Sequence, residues 1–109
     1  MVIDWTRVEQ LREEVGAEAF AEIAVMFLAE AEAAVGALDP GAEAARMAAD
    51  LHAIKGSALN LGFADLAELC AQGEAAARDG QPQKADIAAI RAAFAAAHSQ
   101  FVARFPAAE

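Results

Sequence analysis

The chain has 109 residues, 33 of them alanine, and sets 8 Lys and Arg against 17 Asp and Glu for a formal charge of −9. At this length one core can bury roughly two-thirds of the surface the unfolded chain exposes, so residues 1–109 are expected to form a single domain that needs no metal or disulfide scaffold. With 7 Gly, 3 Pro, no Tyr and 58 % apolar residues, the composition argues against disorder, a β-sandwich and a collagen-like repeat, and the negative charge argues against nucleic acid and anionic membranes as partners.

Alanine is the best helix former and no period-two run of β-branched residues occurs, so α-helix is the expected state between breakers. Met1-Val2-Ile3-Asp4-Trp5 has no basic region followed by an apolar run, which leads us to expect a cytoplasmic protein, and no stretch nears the roughly 18 uninterrupted apolar residues of a membrane span. Thr6-Arg7-Val8-Glu9 has capping-box spacing and opens a short helix with Val8, Leu11 and Val15 on one face, stopped at Gly16. The second helix is expected over 17–38, with Phe20, Ile23, Phe27, Ala31, Ala34 or Val35, and Leu38 as its stripe. Asp39 and Pro40 then serve as N-cap and first turn of a third helix over 41–60.

The apolar positions of that third helix are Met47, Leu51, Ile54, Ala58 and Leu61, the four-three seam of a helix packed nearly antiparallel in a bundle. Gly62 supplies its left-handed stop. A fourth helix over 64–78 buries Leu66, Leu69, Cys70, Gly73 and Ala77, and Cys70, the lone cysteine, leaves no disulfide framework or multi-cysteine zinc site. After the turn Asp79-Gly80-Gln81-Pro82, a last helix over 83–104 carries Ile87, Ile90, Phe94, Ala97, Phe101 and Phe105. The expected fold is all-α: an antiparallel four-helix bundle with a short N-terminal capping helix.

On a helical wheel, His52 points about 130° away from the core direction of its helix. Its helical neighbours are Ala45, Ala48, Ala49, Lys55, Gly56 and Leu59, a shallow patch of small residues with one ammonium group. A glycine inside a helix costs about 1 kcal/mol relative to alanine, so Gly56 needs a reason: it either leaves the imidazole open or serves tight helix packing. His52 lies 10 residues before Gly62 and Glu74 lies 12 after it, so a hairpin at Gly62 puts both about 15 to 18 Å from the turn and level with each other. A carboxylate accepting from Nδ1–H fixes the tautomer in which Nε2 carries the lone pair. With Lys55 to balance an incoming phosphoryl charge, this constellation suits phosphorylation on Nε2. Nothing in it supplies an oxyanion hole or a second base, and His98 is isolated from any residue at metal-ligand spacing, so no metal site and no independent enzyme activity are expected.

The run His52-Ala53-Ile54-Lys55-Gly56-Ser57-Ala58-Leu59-Asn60-Leu61-Gly62 resembles the H-x-x-K-G and following glycine of histidine phosphotransfer (HPt) domains of bacterial multistep phosphorelays. Leu66, Leu69, Cys70 and Glu74 are similar to the family's next helix, where a Glu or Gln accepts from the histidine ring. The resemblance spans the chain. It implies that His52 is the phosphoacceptor, with Lys55 and Gly56 as helical companions, Glu74 as the ring's orienter and Gly62 as a helix stop. It further implies partners that are receiver domains of response regulators and of a hybrid histidine kinase, with Mg²⁺ on the receiver and no cofactor on this chain. Ala45, Ala48, Ala49 and Leu59 would form the apolar docking area, Asn60 its rim, and Ser57 has no direct role.

The alternatives are a phosphorylation-incompetent adaptor that binds receivers without carrying phosphate, and a phosphatase acting on phosphohistidine or phosphoaspartate. Met1 directly before a helix start leads us to expect a free-standing protein rather than a piece of a hybrid kinase, and seams that look self-sufficient lead us to expect a monomer.

Overall fold

The computed structural model describes residues 1–108. Five α-helices follow one another: α1 (Trp5–Val15), α2 (Ala17–Gly36), α3 (Ala44–Leu61), α4 (Ala64–Arg78) and α5 (Ile87–Arg104), with 3₁₀ turns at Pro82–Lys84 and Pro106–Ala108. Helices α2 to α5 form a ring in which each touches the next and α5 returns to α2, while α1 packs on α2 and α3. Short connections make neighbours antiparallel, so the expected bundle with its N-terminal cap is the fold observed. The molecule measures 42 × 21 × 20 Å.

The core is filled by Phe63, Phe101, Met47, Leu51, Ile54, Leu61, Leu66 and Ile90, all fully buried, each worth about 1.5–3 kcal/mol as it leaves water. All five seam residues expected of α3 are buried. In α2 the expected Phe20, Ala31 and Val35 are buried, as is Leu38 just past its end, but in the middle Ala24 and Leu28 are buried in place of Ile23 and Phe27, which are half-buried at the flank. A small alanine at the centre of the face lets the neighbouring helices approach, and the bulkier side chains then cover the seam from its edge. Leu69 and Phe105 are likewise half-buried.

Three helix starts differ from expectation. The cap of α1 is Asp4, whose Oδ1 accepts from the backbone N–H groups of Thr6 at 3.1 Å and Arg7 at 3.3 Å; a charged carboxylate is the stronger acceptor at a helix N-terminus. Thr6 is inside the helix, and Glu9 pairs instead with Arg104 at 3.3 Å and Arg12 at 3.7 Å. Asp39 does not cap α3: its carboxylate accepts from Gly41 N–H at 2.8 Å and its carbonyl from Ala42 N–H at 3.0 Å, closing a turn, and the helix begins at Ala44. The last helix begins at Ile87 rather than residue 83, because Asp86 caps it through Ala89 N–H at 2.9 Å after the 3₁₀ turn.

The end of the bundle that α1 covers is fixed by Gly62. Its φ of +72° is the left-handed stop of α3, and a Cβ there would lie 2.7 Å from the Asp4 carbonyl oxygen. Asp4 N–H donates to the Gly62 carbonyl at 2.7 Å, so the N-terminal segment is tied onto the α3–α4 turn. Around it Trp5, Phe20, Phe63, Phe101 and Phe105 form one aromatic cluster, with Arg104 over the Trp5 ring at 4.5 Å. From this end α3 and α4 run together towards His52 and Glu74.

Candidate functional site

Helices α3 and α4 form the most extensive pair in the bundle, and glycine is the reason they come so close at one level. A Cβ on Gly73 would lie 2.7 Å from Leu51 Cδ1 and 3.1 Å from the Ala85 Cβ, so a side chain there would force the buried Leu51 and the Ala85 segment to give way. Leu51 and Gly73 are the immediate predecessors of His52 and Glu74. The contact that sets the spacing of the two helices therefore also sets the distance between the imidazole and the carboxylate.

The His52 side chain is 63 % exposed and the Glu74 side chain 7 %, and their Nδ1 and Oε2 atoms are 3.0 Å apart. Two further groups converge on the carboxylate. Lys55 Nζ lies 2.7 Å from Oε1, and Arg78 donates to Oε2 from Nε at 3.0 Å and from Nη2 at 2.6 Å. The Lys55 ammonium above all, then Arg78 and His52, outweighs the burial that opposes ionisation and brings the Glu74 carboxyl from 4.5 down to about 2. An ionised carboxylate can only accept. The nitrogen facing it must carry the proton, which leaves the lone pair of the neutral ring on Nε2, pointing away from Glu74.

The expected pairing of His52 with Glu74 is thus present, and Lys55 is present but turned inward onto Oε1. Arg78 was not anticipated, although the spacing Glu74 to Arg78 is the i, i+4 ion-pair spacing and could have revealed it. Gly56 sits one turn from His52, and a Cβ on it would meet nothing within 4 Å. Tight internal packing therefore does not explain this glycine. Asn60 donates from Nδ2 to the Gly56 carbonyl at 3.1 Å, one turn back on its own helix.

Ala45 and Ala49 are exposed beside His52. Ala48 is only 8 % exposed and belongs to the core margin, forming with Ala44, Ala45, Ala49, Ala77 and Arg78 the lining of a shallow depression. Leu59 is 57 % exposed and, with Asn60, lines a second depression shared with Asp4, Arg7 and Gln10 of the cap. Ser57 is half-buried. His98 lies away from this site, stacked on Phe94 with ring centroids 5.5 Å apart. Among the described residues, no group of three or more His, Cys, Asp or Glu is placed to hold a metal ion. Cys70, one turn before Glu74, is fully buried, and that burial pushes its thiol up to about 12.

The family model described as Hpt domain matches residues 6–100, which contain every residue of this site. The chain belongs to the Hpt domain family. Comparison with curated proteins and with solved structures found no match. Hpt domains are the histidine phosphotransfer modules of two-component phosphorelays, phosphocarriers that interact with receiver domains. Among the described residues, no helix is long and apolar enough to cross a membrane.

Proposed function

We propose that this chain is a phosphorelay carrier that takes a phosphoryl group from the aspartyl phosphate of one receiver domain onto His52 Nε2 and passes it to the aspartate of another. The observation that carries this reading is an exposed imidazole whose inner nitrogen is engaged by an ionised, buried carboxylate at 3.0 Å. Nε2 is then a nucleophile already in the required tautomer, and no base has to remove a proton before attack. Glu74 positions the ring, Lys55 and Arg78 keep Glu74 ionised, and Gly56 leaves room for a receiver's loops to reach Nε2. Ala45, Ala49 and Leu59 offer side chains that lose little or modest rotamer freedom on docking, with Ala48 beneath them and Asn60 at the rim.

The Mg²⁺ and acidic pocket of the transfer step belong to the receiver, and the chain acts as a cytoplasmic monomer with no cofactor and no catalytic activity of its own. Incubation with a phosphorylated receiver and Mg²⁺ should give an acid-labile, alkali-stable label on the wild type and none on His52→Gln. A receiver that binds but transfers no label would make the chain an adaptor instead. Free phosphate appearing faster than the receiver loses it alone, with no label on the chain, would make it a phosphatase.

A further inference from the structure

The contact between His52 Nδ1 and Glu74 Oε2 constrains the phosphorylated ring as well as the free one, an inference that rests on the carrier reading above. When the Nε2 lone pair attacks phosphorus, the Nε2–P bond forms and the P–O bond to the receiver aspartate breaks, its electron pair leaving on the carboxylate. The ring enters this step neutral, with hydrogen on Nδ1, and so leaves it as an N-phosphoimidazolium cation. To become neutral it must lose the Nδ1 proton. That would turn a lone pair towards an anionic oxygen 3.0 Å away, with no hydrogen between them.

Glu74 is a poor destination for that proton. The ionisable groups that face it are Lys55 from α3, at 2.7 Å from Oε1, and Arg78 from its own helix, at 2.6 Å from Oε2. The Cys70 thiol one turn earlier is neutral, raised to about 12 by burial. Both charged neighbours favour the carboxylate over the acid, and the carboxylate in turn favours the cationic ring. We infer that phospho-His52 is carried as an imidazolium, its Nδ1 proton retained on the ring and donated to Glu74, so that the phosphoryl group arrives and leaves without any proton changing hands. Imidazole leaves phosphorus more readily from the protonated form. Glu74 is in this sense a positioning residue that keeps the carrier charged for onward transfer, and Arg78 and Lys55 hold it in that state.

The test uses the full chain with ¹⁵N-labelled histidine, phosphorylated by phosphoramidate, a small phosphoryl donor that acts without a receiver. At about pH 8, above the ordinary histidine range, Nδ1 of phospho-His52 is expected to resonate as a protonated nitrogen that keeps its N–H coupling. In Glu74→Gln, which preserves the side chain's shape, that proton should be lost and the phosphohistidine should survive several-fold longer. Finding Nδ1 unprotonated in the wild type at this pH overturns the inference, and needs no variant to fold. A protonated Nδ1 in a chain that no receiver can load or unload would leave this inference standing and remove the relay reading. An unprotonated Nδ1 with normal transfer would do the reverse, and a His52 that neither phosphoramidate nor a phosphorylated receiver can label would remove both.

Discussion

At the scale of single residues, the protein concentrates its electrostatics on one carboxylate. Glu74 is nearly inaccessible, yet it is ionised, because two cations and an imidazole meet it. Its folded pKa lies below the unfolded one, so its contribution to stability is complete above about 4.5 and is lost as pH falls towards about 2. On the order of 2 to 3 kcal/mol should disappear across that window, and urea denaturation at a series of pH values will measure it. Glu74→Gln should flatten this acid limb; an unchanged limb would place the responsible carboxylates elsewhere. Arg78 is more exposed than Lys55, so its own effect on stability should be small, within about 1 kcal/mol for Arg78→Ala. The pairing of His52 and Glu74 was legible from arithmetic about the Gly62 turn. That Lys55 faces inward was not, because helical spacing places its Cα on the right side of the helix without fixing where a four-carbon stem ends.

At the scale of helices, two glycines in neighbouring elements have opposite meanings. Gly73 faces inside: an alanine there meets Leu51 and Ala85, so Gly73→Ala should destabilise the bundle by roughly 1–3 kcal/mol, and slow loading of His52 if the strain is relieved by a shift of α4 that carries Glu74 with it rather than by Leu51 alone. Gly56 meets nothing, and Gly56→Ala should stabilise α3 by about 0.5–1 kcal/mol through helix propensity alone. Gly56→Trp should leave helical content unchanged and block transfer. Unimpaired transfer in that variant would remove Gly56 from the docking surface. Sequence alone marked both glycines but assigned Gly73 only to a seam, because close approach depends on the partner helix. The helix starts were harder to read for a different reason. Asp4, Asp39 and Asp86 each accept from a backbone N–H two or three residues on, but Asp39 closes a turn whereas Asp4 and Asp86 cap helices, and Asp4 is further held by its N–H to the Gly62 carbonyl, a contact no local pattern contains.

At the scale of the whole molecule, the bundle is tied together where α1 covers it, through Asp4 and Gly62, and carries its chemistry on an exposed face near mid-length. The four-three seams of α3 and α5 made the fold legible, since bulky residues recur there on one side only. In α2 alanine occupies both the buried and the exposed faces, and in its middle the pattern picked Ile23 and Phe27 where Ala24 and Leu28 are buried. Cys70, fully buried beside the site with its thiol raised to about 12, should react with thiol reagents only when the bundle opens. Labelling that tracks global unfolding is expected; rapid labelling of the native protein would mean that α4 moves independently of its neighbours. The relay itself is tested most directly by placing a phosphorylated receiver and a second, unphosphorylated receiver together with this chain and following the label over time. Label should leave the first receiver, pass through an acid-labile species on this chain and appear on the second. The same passage with His52→Gln, or label reaching only free phosphate, would contradict the role assigned to this imidazole.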